Sequence, residues 1–214
     1  MIELKETIIK LRSIRKFSNR EVPKDAIEEI VLAANWAPSA CNYQLWKFIV
    51  IDDPKIKEMI FEQGGASFIK DAPVGILVLY DNRSDNLEYR DYIQSAAAAI
   101  QNMLLAATSL GIGSCWVCHL PPKSVLRRLL KIPAYFDPIA YIPLGYPLSE
   151  VKPHPRKNAL NDIISWNKFT FQTQRQSIFK LIVKRLLKRT YLYSPFFLKK
   201  ALRPLAERFV KKFD

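Results

Sequence analysis

Apolar residues recur one helical turn apart in some stretches of this chain and form unbroken runs in others, and the alternation predicts its elements. Ile2 to Leu11 reads as a first helix, with Leu4, Ile8, Ile9 and Leu11 on one side. A second helix starts near Pro23, since proline suits a first helical turn, and buries Ile27, Ile30, Val31 and Ala34. Ala37 to Asn42 breaks the period as a loop. Trp46 to Ile51 is a strand ended by Asp52-Asp53-Pro54, and Lys55 to Gln63 a short helix stopped by Gly64-Gly65. Pro73 to Tyr80 is a continuous apolar run, the pattern of a strand covered on both faces. Leu87 to Leu110 is the longest helix, capped by Gly111, and its small residues from Ser95 to Ala99 allow a second helix to approach closely. A strand at Ser114 to Val117, a helix at Ser124 to Leu130 and a strand at Ile139 to Leu144 complete the order. Pro143 predicts an edge position or an early end for that last strand. Gly145 to Pro155, rich in proline, is a loop.

Helices and strands alternate, yet one strand pair is joined only by loop and a short helix, so the expected sheet is mixed. The 214 residues suit one α+β or α/β domain with an appendage. Net charge is +13, but it is unevenly placed. Residues 166–214 carry 13 Lys/Arg against Glu207 and Asp214, whereas residues 1–165 carry 20 basic and 18 acidic residues. The basicity belongs to a tail, so the pI does not make the whole chain a nucleic-acid binder. No targeting segment or membrane-spanning run is expected. Three cysteines, an odd number, do not suggest a disulfide framework, and a cytoplasmic location is expected.

Arg12-Ser13-Ile14-Arg15 offers two guanidinium forks and a hydroxyl, a set suited to phosphate oxygens. Cations solvated at a helix end would read the same way. Pro38-Ser39-Ala40-Cys41-Asn42-Tyr43-Gln44 supplies amide donors and acceptors for a heterocycle edge, and is also common turn chemistry. Cys115-Trp116-Val117-Cys118 has CxxC spacing, but residues three apart in a strand face opposite sides, and a zinc site lacks a second ligand pair. Gly111-Ile112-Gly113 lacks the third glycine of a dinucleotide fingerprint, and Walker, HExxH and GxSxG motifs are absent. No metal site is expected.

Taken in order, these segments resemble the nitroreductase family of FMN enzymes. The resemblance covers roughly residues 4–162. It includes Asp71-Ala72-Pro73 before an apolar strand, Gln101-Asn102-Met103-Leu104 in a long helix, Gly111 to Trp116, and Gly145-Tyr146-Pro147 followed by Arg156. It implies an α+β fold: a central, mostly antiparallel mixed sheet flanked by helices, in an intertwined homodimer. It assigns Arg12, Ser13 and Arg15 to the first flavin-binding segment and Arg156 to the phosphate. Pro38, Ser39, Asn42 and Gln44 fall in the loop that reaches the flavin of the other subunit, and Ser114, Cys115 and Trp116 at a strand end near the ring. Leu11 stands where many members carry an arginine, and Leu45 where most have proline. The implied activity is hydride transfer from NAD(P)H through flavin N5 to a small acceptor, nitro- or quinone-like or a biosynthetic substrate, with no catalytic acid or base side chain required.

The predicted organisation is an FMN-binding domain over 1–165 and a basic amphipathic helical extension over 166–214. Ile178, Phe179, Ile182, Val183, Leu186 and Leu187 recur at helical spacing among Lys180, Lys184, Arg185, Lys188 and Arg189, and a second helix is expected from Phe196 to Phe213. Such helices suit an anionic membrane surface, or the stripe packs on the enzyme core or its dimer mate; nucleic acid is the least favoured partner. The alternative reading of the whole chain is a membrane- or partner-binding module with a vestigial flavin site.

Overall fold

The computed structural model describes residues 3–83, 86, 88–150, 152 and 154–171, with 179, 182, 183, 185, 186, 190 and 198. The chain divides into two compact units, Met1–Lys152 and Pro153–Asp214.

The first unit holds α1 (Leu4–Lys10), α2 (Lys24–Asn35), β1 (Trp46–Ile51), α3 (Pro54–Glu62), β2 (Val74–Asp81), α4 (Asp91–Ser109), β3 (Gly113–Ser114), α5 (Lys123–Leu130) and β4 (Phe136–Gly145). Helix starts follow local chemistry. Pro23 caps α2, and the Asp53 carboxylate accepts from the Lys55 amide at the head of α3. Gly111 takes the left-handed conformation after α4, at φ 71°, and Ile112 N bonds back to Ala107 O. The predicted helix starts at Ile2 and Leu87 lie outside the described residues.

The strands form one sheet in the order β1-β2-β4-β3, and every named pair is antiparallel. The expected parallel component is confined to an isolated bridge between Ser13 and Ser114. All eight residues of β2 are buried, as its unbroken apolar run requires. Its even-numbered residues Val74, Ile76, Val78 and Tyr80 pack with Ile30 and Ala34 of α2 and Ala96, Ile100 and Met103 of α4. Its odd-numbered Leu77 and Leu79 pack with Ile60 of α3, Leu126 of α5 and Tyr141 of β4. The small-residue stretch of α4 does face a helix: Ala96, Ala99 and Ala34 are fully buried together, and Asn102 donates to Ala33 O at 3.1 Å.

Two expectations are corrected. Pro143 is not at an edge, nor does it end its strand: β4 lies inside the sheet and runs on to Gly145. Nor does a continuous strand cover Ser114 to Val117. Only Gly113 and Ser114 pair with β4 as a strand, and Val117 returns as an isolated bridge to Tyr141. The interruption has a specific cause. The pairs Gly113–Gly145, Ser114–Leu144 and Val117–Tyr141 share one register, which sets Cys115 opposite Pro143. Val117 and Tyr141 exchange both backbone hydrogen bonds, so the position two residues along should exchange them too. Pro143 has no N–H to give, and the ladder is broken there.

In the second unit a 3-10 turn spans Leu160–Asp162, and Phe179, Ile182, Val183, Arg185, Leu186, Thr190 and Leu198 are helical. The remainder of the two predicted tail helices lies outside the described residues. Among those described, no helix is long and apolar enough to cross a membrane.

Candidate functional site

After α1 the chain leaves the helix at Leu11 in an extended conformation, φ −55° and ψ 123°. Ile14 N then donates to Ser114 O at 2.9 Å, Ser18 N to Tyr146 O at 2.8 Å and Leu148 N to Lys16 O at 3.1 Å. Residues 13–18 are thereby laid between the end of β3 and the segment after β4. Gly113 makes this possible, because a Cβ there would stand 2.9 Å from the Ile14 side chain. Ser13 and Arg15, two apart in extended chain, share a side. Both favour the Cys115 thiolate, Arg15 through its charge and Ser13 as a polar neighbour, and so pull its pKa down. Arg12 is half-buried and donates to Leu11 O at 2.5 Å, and the Arg15 guanidinium sits 5.8 Å from the Phe68 ring centre. Ser13 is exposed.

The broken ladder at Pro143 shapes the other wall. Ser114 and Cys115 are buried, while Trp116 is 36% exposed at the point where the strand is interrupted. Burial pushes the Cys115 thiol up, and this outweighs the downward pulls of Arg15 and Ser13. The thiol therefore stays protonated at neutral pH and is no nucleophile. Cys118 is exposed where Cys115 is buried. Among the described residues no cluster of three or more His, Cys, Asp or Glu is placed to hold a metal ion.

The loop before β1 is a second centre of unusual chemistry. Cys41, Asn42 and Gln44 all have positive φ, at 49°, 56° and 52°. Asparagine tolerates this region, but for cysteine and glutamine it costs about 1–2 kcal/mol each. The strain is held by named bonds. Gln44 N donates to Ser39 Oγ at 3.0 Å, Gln44 Nε2 to Asn42 Oδ1 at 2.7 Å, and Ala40 N to Ser95 Oγ at 3.0 Å. The far end is fixed by Trp46, whose indole N–H donates to Asn35 Oδ1 at 2.9 Å and whose ring meets Tyr80 edge-on. Pro38, Asn42 and Gln44 remain exposed and Ser39 half-buried.

These two centres lie at opposite ends of the first unit. The loop is tied to Ser95 near the start of α4, and the Arg12–Arg15 segment to Ser114 just past its end. From Ser95 to Ser109 the helix rises about 20 Å. The sheet agrees: Trp46 pairs with Tyr80, whereas Ser114 pairs with Leu144, itself opposite Val74 at the other end of β2. Six residues of strand again span about 20 Å. Arg156 belongs to the second unit and is exposed.

Sequence reasoning missed Ser95, a serine inside a helix whose hydroxyl anchors the loop, and the role of Pro143 across the sheet. A groove of about 570 Å³ beside β1, lined by Ile27, Val31, Leu32, Trp46, Phe48 and Gln44 among others, was also not foreseen.

The model of the nitroreductase family matches residues 8–64 and 58–146. A protein of Methanothermobacter thermautotrophicus provisionally named NADH dehydrogenase/NAD(P)H nitroreductase is 39% identical over 150 residues, covering 68% of this chain and 78% of its own. An iodotyrosine deiodinase of Haliscomenobacter hydrossis is 31% identical over 167 residues, covering 64% and 75%. The solved structure of an FMN-dependent nitroreductase from Clostridium difficile superposes with a TM-score of 0.68 at 29% identity, covering 76% of this chain and 98% of that one. FMN is the cofactor of this family, and the donors of this chain fit it: guanidinium and hydroxyl groups for a phosphate ester, exposed amides for a heterocycle edge. In fold and in sequence, this chain belongs to the nitroreductase family.

Proposed function

We propose that the protein is an FMN-dependent NAD(P)H oxidoreductase that works as a homodimer and reduces a small organic acceptor, nitro- or quinone-like or a biosynthetic intermediate. The observation that carries this reading is the bond from Ile14 N to Ser114 O, which brings Ser13 and Arg15 against the Ser114-Cys115-Trp116 strand end. That bond turns two distant motifs into one donor surface.

FMN, when bound, supplies two-electron chemistry that couples oxidation of NAD(P)H to reduction of the acceptor. The protein's own groups bind and orient. Arg12 and Arg15 would neutralise the phosphate, and Ser13 would donate a hydrogen bond to the cofactor. Asn42 and Gln44 offer amides to the pyrimidine edge. Cys115 keeps its proton and packs against the site as a small apolar group.

Distance supports a homodimer. Two donor centres about 20 Å apart in one subunit cannot meet one isoalloxazine ring, so the loop at Asn42 serves the site of a second copy. The outer edge of β1, unpaired among the described residues, and the apolar groove beside it offer a face for that copy. In this reading residues 1–165 form the flavin-binding part, 166–214 are a separate basic extension, and the enzyme acts in the cytoplasm.

An absorbance spectrum of the purified protein tests the proposal. Bound flavin that bleaches on anaerobic addition of NADH or NADPH is expected. A colourless protein that takes up no FMN on reconstitution would refute it and leave the vestigial-site alternative standing.

A further inference from the structure

The extension after Trp166 carries two properties at once. Phe179, Ile182, Val183 and Leu186 are helical and follow the spacing i, i+3, i+4, i+7, which places them on one face. All four are exposed, Phe179 by 75% and Leu186 by 57%. Trp166 is 82% exposed in the same unit, and Phe169 is exposed beside it. The second property is charge: 13 Lys/Arg against two acidic residues from 166 to 214, with Arg185 helical and exposed among them.

Few partners satisfy both. A nucleic acid would neutralise the cations and leave four large apolar side chains in water. An apolar groove on a protein would cover the stripe but leave the surplus of positive charge unopposed unless its rim were strongly acidic. The interface of an anionic bilayer does both, burying the apolar face at the acyl boundary while lysines and arginines reach the headgroups. Exposed tryptophan and phenylalanine favour that depth as well.

We infer that residues 166–214 dock the enzyme on an anionic lipid surface, with Phe179, Ile182, Val183 and Leu186 as the inserted face. The charge asymmetry fixes the type of membrane: the near-neutral residues 1–165 contribute little, and the tail selects acidic headgroups. This docking is independent of the flavin chemistry and gives the enzyme access to acceptors that partition into the bilayer.

The full-length, FMN-loaded protein is sedimented with vesicles of phosphatidylcholine alone and with vesicles that also contain phosphatidylserine. Recovery with the second and not the first, falling steeply with added salt, is expected. Phe179→Ser combined with Leu186→Ser removes the anchor and keeps every cation. It should lower vesicle affinity at least about tenfold while the flavin spectrum is unchanged. Arg185→Ala should lower it about fivefold. Equal recovery on neutral and anionic vesicles, or a double variant that binds as well as the parent, overturns the inference. So does a double variant that falls to monomers on gel filtration yet still sediments, which would make the stripe a subunit contact. Wild-type protein retained by duplex DNA but not by vesicles would overturn it in favour of nucleic acid.

Discussion

The ring of Tyr141 lies across the backbone of Gly75 on the neighbouring strand, so close that a Cβ at Gly75 would fall 2.3 Å from the Tyr141 Cζ. Glycine is required here by space, not by backbone conformation. Gly75→Ala is expected to destabilise the fold by about 1–3 kcal/mol through overpacking of the α3/α5 face. A thermal melt reads this directly, and an unchanged midpoint would mean the ring moves aside freely.

Tyr141 carries a second consequence. It is fully buried, burial raises its phenol pKa, and its hydroxyl has no hydrogen-bond partner among the described residues. An orphaned hydroxyl costs about 1–3 kcal/mol. Tyr141→Phe should therefore be neutral or stabilise the protein. A loss of more than about 1 kcal/mol in denaturant unfolding would show that the hydroxyl has a partner, such as a buried water.

Pro143 interrupts the ladder beside Cys115, and restoring the missing donor should close the gap. Pro143→Ala is expected to slow amide exchange around Cys115 and Trp116 and to draw that segment onto β4. The same change should weaken FMN binding several-fold, because the strand end is re-aimed. Unaltered exchange together with unaltered affinity would dismiss the idea that the proline sets this wall.

Arg15→Gln removes a charge without shortening the side chain much. Charge-assisted hydrogen bonds are worth about 1.5–3 kcal/mol, so FMN affinity should fall by roughly ten- to a hundredfold while the melting point of the apo-protein stays put. The subunit arrangement can be tested with the same variant. Asn42→Ala impairs the loop, and mixing it with Arg15→Gln should regenerate about a quarter of the intact sites in a random dimer population. No recovery above the separate variants would argue that the loop serves its own subunit.

Lys57 is buried in α3, where its ammonium donates to Ala72 O at 2.7 Å and Pro73 O at 2.8 Å. Desolvation by burial lowers its pKa below the usual 10.5, against opposing pulls from Asp52 and Asp53. A lysine whose folded pKa is depressed binds protons more weakly folded than unfolded. Its contribution to stability therefore grows as pH rises from the lowered value toward 10.5 and is lost as pH falls back through it. The melting-point difference between the parent and Lys57→Met should widen in the parent's favour across that alkaline window. A flat difference would show that the amine is not desolvated. At neutral pH the variant should already be less stable by about 2 kcal/mol, since the buried Ala72 carbonyl and the half-buried Pro73 carbonyl lose their donor.

Most of the secondary structure was legible because it is written locally. The apolar run before Tyr80 announced a two-faced strand, and Gly111 announced the end of α4. What was hidden acts across the sheet or against the residue's own habit. Pro143 disrupts a neighbour and not its own strand, so the pattern along β4 alone points to an edge that is not there. Lysine reads as surface, and nothing near Lys57 in sequence marks the carbonyls of Ala72 and Pro73 as its targets. The segments proposed for the site stand out in the sequence as an ordered set of motifs, but the strain at Cys41 and Gln44 does not, because neither residue is one that favours positive φ.

The edge of β1 has one more implication, for the life of the newly made chain. Among the described residues nothing pairs with its outer side, so a row of backbone donors and acceptors stands open beside Trp46, Phe48 and Val50, with Lys47 as the one charged residue of the strand. A newly made chain in that state is thus primed for promiscuous strand pairing. Its solubility should depend on concentration, temperature and the speed with which that flank is sealed.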